Sequence, residues 1–314
     1  MKCRVASSPF LRRLLPLGVV FILPGCAADR PEEPAPEPAA EESAYGVLPL
    51  PERPGSGFFL HEIDNLLRFW SNARLTARTD EDWRRIHGIE QQMNQEVWKH
   101  RTELIDILAS GPPRQREVAA AALGFAGVPE ALGPLLNALS DREPEVVEKA
   151  LLGVGVLADP ATPPGPIVFQ LRSNPAPRAR GNAAFALYRI VAGGAGGEEI
   201  AAAARDGLRD PEWSVQTQCA GILGRLGDPA AIASLGLLLL SESSTPCHAA
   251  AVALHRIARA DPSRRAEVGR TLVEALPRVE AAHQELVLAE LVDLAGQNHG
   301  NDLDAWREWA HGLE

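Results

Sequence analysis

The feature that most constrains this chain is a helix signature that recurs six times. Its clearest copy is Val215-Gln-Thr-Gln-Cys-Ala-Gly-Ile-Leu-Gly-Arg-Leu-Gly-Asp-Pro229. Leu223-Gly224 aligns with Leu123-Gly124, Val154-Gly155, Leu187-Tyr188, Leu254-His255 and Leu291-Val292, so successive anchors lie 31, 33, 36, 31 and 37 residues apart. Four residues before each anchor stands a small or compact residue: Ala119, Ala150, Ala183, Cys219, Ala250 and Val287. Residues at i and i+4 share one helix face, and a small side chain there lets a neighbouring helix come close. Turns such as Asp159-Pro160 and Asp228-Pro229 follow, giving an N-cap or a first-turn proline to a second, more aliphatic helix. These second helices are expected over 132–139, 167–171, 200–208, 232–240 and 268–276. A two-helix unit repeated at this period buries its apolar face only by stacking on further copies.

The expectation is therefore an all-α protein, an α-solenoid of about five to six helix pairs over residues 112–314. Composition agrees: 46% of residues are apolar but only 5% aromatic, so Ala and Leu must fill the interior, as suits closely packed helices. Tetratricopeptide repeats have a similar period but need aromatics at fixed places, which are missing here. A four-helix bundle would not give six anchored copies.

The pattern V/x-R/Q-x-x-A-x-x-x-L-G-x-L-G-D-P resembles the HEAT-like repeats named for phycobilisome lyases. Val215, Gln216, Leu223, Gly224, Leu226, Gly227, Asp228 and Pro229 match it best, and the resemblance covers roughly residues 113–310. It implies a right-handed solenoid, with first helices on the convex side and second helices on the concave side. It also implies an alternative function: a lyase- or chaperone-like enzyme that assists attachment of a chromophore or cofactor to a partner protein. Export of the chain and the lack of a placed nucleophile or acid–base pair speak against that alternative.

Residues 1–25 read as an export signal. Lys2, Arg4, Arg12 and Arg13 form a positive start, and an apolar run from Leu14 to Leu23 follows. That run is about half of the roughly 20 residues a spanning helix needs. Leu23-Pro24-Gly25-Cys26 resembles the bacterial lipobox, which implies lipidation of Cys26 and a membrane anchor. The expected location is the cell envelope, facing the periplasm. The outer membrane is preferred over the inner, because Ala27 stands where many inner-membrane lipoproteins carry Asp. Residues 26–55 form a linker whose core, Arg30 to Ser43, is rich in Pro and Glu, a composition that stays extended and unpacked.

Residues 56–111 are expected to form a helical cap over the first end of the array. Phe58, Ile63, Leu66, Leu67 and Trp70 fall on one helical stripe, and Thr79-Asp-Glu-Asp82 opens a second helix that breaks near 99–102. At the other end Trp306 and Trp309 share a face and are expected to close the last repeat.

Charge narrows the partners. Without residues 1–25, which hold four bases and no acid, the chain carries 27 bases and 41 acids, a net charge of −14. That charge argues against nucleic-acid binding, which needs a basic face, and together with export it argues against a DNA-glycosylase-like use of the repeats. The chemistry-bearing motifs are also missing. The eight histidines form no H-E-x-x-H, no cysteine pair has zinc-site spacing, and no metal or cofactor is expected. Gly193–Gly197 follows a helix and runs into Glu198-Glu199, so it reads as a turn rather than a phosphate cradle. Cys219 and Cys247 leave a disulfide and two buried thiols both open, and the place of Cys219 at an alanine position favours thiols. No catalytic residue, and no small-molecule substrate, is expected.

What remains is binding of a protein partner. In each second helix the residue two before the last core leucine points about 200° away from it. That gives a ladder of Asn137, Phe169, Asp206, Leu237 and Glu274. Phe169 and Leu237 are expected to anchor a partner peptide or helix, with Asp206 and Glu274 favouring a basic one. The competing expectation is that the two apolar residues pack against a neighbouring helix or the N-terminal region.

Overall fold

A computed structural model describes residues 56–313. The expected signal segment, Cys26 and the linker lie outside the described residues. Among these residues every regular element is a helix, and no helix is long and apolar enough to cross a membrane.

Three helices precede the repeats: α1 (Ser56–Thr76), α2 (Asp80–Lys99) and α3 (Arg101–Ser110). Thr79 caps α2 as the sequence suggests. Its hydroxyl accepts from the Asp82 amide, and the Asp82 carboxylate accepts from the Thr79 amide at 2.9 Å. The expected break falls at His100, whose φ of −110° and ψ of 16° divide α2 from α3.

The repeats follow as α4 (Pro113–Leu123) with α5 (Leu132–Asn137), α6 (Pro144–Leu157) with α7 (Pro164–Ser173), and α8 (Pro177–Ala192) with α9 (Glu198–Gly207). The next are α10 (Trp213–Leu226) with α11 (Ile232–Leu238), α12 (Ser244–Ala260) with α13 (Arg265–Ala275), and α14 (Gln284–Ala295) with α15 (Leu303–His311). Several second helices are shorter than their aliphatic runs. Residues 129–131 and 138–140 flank α5 as tighter 3₁₀ turns, and Pro129 starts the first of them.

The even-numbered helices α4 to α14 stack one on the next and form one layer, and α7 on α9, α11 on α13 and α13 on α15 pack likewise in the other. The cap continues both layers: α1 packs on α4 and α3 on α5. All six anchors and all six small residues four positions earlier are fully buried. The glycine after the anchor explains the closeness. A Cβ on Gly224 would lie 2.7 Å from Ala253 Cα, and one on Gly124 would lie 2.6 Å from the Gly153 carbonyl oxygen. Where Tyr188 and His255 take the glycine's place, the next first helix offers a polar partner instead. Arg225 stacks on the Tyr188 ring and donates to its hydroxyl at 2.9 Å, and Glu290 meets His255 Nδ1 at 2.7 Å.

The ends are sealed by aromatics. Trp70 of α1 lies edge-on to Phe125 with ring centroids 5.2 Å apart. Trp306 is fully buried, its indole N–H donates to the Gly300 carbonyl, and Trp309 covers Gly269. The two C-terminal tryptophans therefore close the last repeat.

Candidate functional site

Each residue of the ladder lies on its second helix and is exposed: Asn137 on α5, Phe169 on α7, Asp206 on α9, Leu237 on α11 and Glu274 on α13. The reason is the one the period gives. Leu139, Leu171, Leu208, Leu239 and Leu276 turn inward and are buried, which leaves the position two residues earlier facing out. Phe169 is 64% exposed and Leu237 70%, so neither is covered by a neighbouring helix. Within the repeats they are the large hydrophobic side chains left in solvent. Phe58, Phe69 and Trp98 are the others and belong to the cap.

Around Phe169 the face is polar and ordered. Arg172, one turn on, reaches across to α9 and binds the Asp206 carboxylate through Nε at 3.1 Å and Nη2 at 2.8 Å. Asp206 is thereby already paired, so its charge is less free to select a basic partner than the sequence suggested. Glu274 keeps an exposed carboxylate two repeats away. Gln170 donates to the Leu139 carbonyl at 3.0 Å and ties α7 to the end of α5.

Leu237 borders a small cleft between the end of α9 and α11. Leu208, Leu238 and Leu240 complete its apolar wall, and Arg209, Gln216, Ser234 and Ser241 supply the polar one. Sequence reasoning missed this cleft. Its lining comes from two repeats, and Arg209 and Ser241 sit in the turns after their helices, where helical periodicity says nothing about direction.

The two cysteines of the repeats and His255 are buried in the packing. Cys219 and Cys247 are both free thiols and both buried. Burial pushes the Cys247 thiol up to about 11, and raises that of Cys219 further, with Asp210 and Asp206 adding to the effect. His255 sits buried between two carboxylates of α14, with Glu290 at 2.7 Å from Nδ1 and Asp293 at 3.6 Å from Nε2. Alignment of the anchors would have revealed it, because His255 replaces the glycine at that position. No group of three residues suited to hold a metal occurs among the described residues. Gly193–Gly197 is a turn, with Gly194 at φ 105° and Gly197 at φ 123°, and Glu198 beyond it pairs with Arg205.

No family model matches the chain, and no curated protein does. Solved structures with the same fold are found. An engineered protein shares 20% identity over 62% of this chain and 98% of its own, with a TM-score of 0.50. A designed armadillo repeat protein shares 17% over 61% of this chain and 98% of its own, at 0.49. The complex of CpcE and CpcF of phycocyanin lyase from Nostoc sp. shares 19% over 88% of this chain and 100% of that one, at 0.40. The chain is thus an all-α solenoid of stacked helix pairs, a fold it shares with that engineered protein.

Proposed function

We propose that this chain is a non-catalytic scaffold that holds a protein partner on the face of its second helices. We further propose that it does so from a membrane of the cell envelope, anchored by a lipid on Cys26. The observation that carries the first statement is the pair Phe169 and Leu237, large apolar side chains 64% and 70% exposed on α7 and α11. Each would contribute roughly 1.5–3 kcal/mol on full burial under a partner. Between them the exposed Arg172–Asp206 pair contributes little energy but offers hydrogen-bonding register, the arrangement expected of apolar anchors inside a polar rim. The anchor proposal rests on the basic start, the short apolar run and the Leu-Pro-Gly-Cys ending at Cys26.

Crosslinking in cells followed by pull-down tests both. The intact chain is expected to retain a defined partner. The double variant Phe169→Asp with Leu237→Asp is expected to lose it while its circular dichroism and melting temperature stay unchanged. Unaltered capture by a folded double variant rejects the binding face. Cys26→Ala is expected to leave the membrane fraction, and a variant that stays there rejects the lipid anchor.

A further inference from the structure

The cleft beside Leu237 is lined by one charged side chain, Arg209, and by no acid. Of the carboxylates nearest along the chain, Asp206 is taken by Arg172 and Asp210 by Arg180, and Glu212 acts on Arg180 rather than lining the cleft. Arg209 makes no ion pair among the described residues, so its guanidinium stands uncompensated at the edge of an apolar wall. The volume is about 280 Å³, room for one or two side chains and too little for a cofactor.

We infer that this cleft seats the C-terminal residue of the partner chain. Its apolar side chain lies against Leu208, Leu237 and Leu240, and its terminal carboxylate is held by Arg209. The inference rests on the second-helix face being the partner-binding face, and it names what that face reads. A cleft this small must receive a carboxylate and an apolar group together. A terminal residue carries both on one Cα. Adjacent acidic and apolar residues inside an extended chain point to opposite sides, and a helical pair at i and i+4 spreads them about 5–6 Å apart on a bulky rod. The planar fork of an arginine matches a carboxylate by two parallel hydrogen bonds, and Ser234 and Ser241 offer hydroxyls nearby.

The test uses purified full-length protein and N-terminally fluorescein-labelled hexapeptides, Gly-Ser-Gly-Ser-Ala-Leu, with a free or an amidated C-terminus. Fluorescence anisotropy is expected to show binding of the free acid. Amidation, or serine in place of the final leucine, is expected to weaken it at least tenfold. Arg209→Gln, a change at an exposed position, is expected to remove the discrimination between acid and amide. Equal binding of acid and amide, retained discrimination in Arg209→Gln, or no binding of the free acid overturns the inference. If these arms fail while the Phe169→Asp, Leu237→Asp double variant still loses its partner, terminal recognition falls and the binding face stands. If that double variant captures normally, the binding face itself falls.

Discussion

Arg180 and Asp210 meet through two hydrogen bonds, Nε to Oδ2 at 2.7 Å and Nη2 to Oδ1 at 3.0 Å, with only 14% and 11% of their side chains exposed. Arg180 also donates from Nη1 to the carbonyls of Asn174 and Pro175. One guanidinium on α8 thus fastens the loop before its repeat to the loop after it. Arg116 does the same on α4, joining the Gly111 carbonyl to Asp141. Gln216 and Gln284 keep half of the device, each donating to a carbonyl of the preceding loop. This is the physical content of the R/Q position in the repeat pattern. Arg180→Ala is expected to destabilise the fold by about 3 kcal/mol, because Asp210 is left half-buried and unpaired. Chemical denaturation measures it. A double-mutant cycle with Asp210→Ala should return a coupling of at least about 1 kcal/mol. Strict additivity would show that the pair is ornamental.

The partner pair gives a pH dependence. The Arg116 guanidinium holds the Asp141 carboxyl below its ordinary range, helped by the Glu143 amide. A folded-state pKa lowered below the unfolded value contributes stability that is complete above the unfolded value, about 3.9, and is lost as pH falls through the folded one. Asp82 behaves alike, held at about 2 by the Arg78 and Thr79 amides. Urea midpoints of the intact protein should therefore fall steeply below about pH 4. Asp141→Asn should show a lower midpoint at pH 7 and a shallower acid slope. Parallel acid slopes would contradict the assignment.

The fold was legible because packing repeats. The six anchors and their small partners at i−4 are spaced as one helix face demands, and all twelve are buried. The outward direction of Phe169 and Leu237 was legible for the same reason, since helix periodicity fixes what points away from a buried leucine. The contacts between repeats were not. Arg180 finds Asp210 thirty residues later, Arg172 finds Asp206 thirty-four later and His255 finds Glu290 thirty-five later. Such pairings depend on which face of one helix the next repeat lands on, and no local spacing encodes that.

Backbone conformation gives a stabilising change. Ala158 ends α6 at φ 53° and ψ 32°, the left-handed position that Gly227 holds after α10 and Gly296 after α14. A residue with a Cβ is strained there by about 1 kcal/mol. Ala158→Gly is expected to raise the melting temperature, with a gain of about 0.5–1 kcal/mol by denaturation. A loss of stability would mean that the methyl group makes packing contacts worth more than the strain.

Two glycines should respond to alanine with opposite sign. At Gly224 the new methyl would meet the Ala253 backbone on α12, forcing two first helices apart, and a loss of about 1–3 kcal/mol is expected. At Gly88, exposed inside α2, a methyl meets nothing within 4 Å, and the gain in helix propensity should add roughly 0.5–1 kcal/mol. Equal effects at both sites would mean that the first-helix layer is looser than its geometry.

The buried thiols give the last prediction. Cys219 lies fully buried where four other repeats carry alanine, with its Sγ against Gly207 of α9, and Cys247 is equally enclosed on α12. Both are free, and burial holds both in the neutral form far above physiological pH. In a full-length chain carrying Cys3→Ser and Cys26→Ser, an aromatic disulfide reagent at pH 8 should titrate no thiol under native conditions and two in concentrated urea. Rapid modification of either in the folded protein would show that α10 and α12 separate more readily than their glycine–alanine contact implies. Absence of both signals in urea would reveal a disulfide. The stepwise case, one thiol reacting slowly before the other, would locate the weakest seam of the stack, because Cys219 and Cys247 lie on neighbouring first helices.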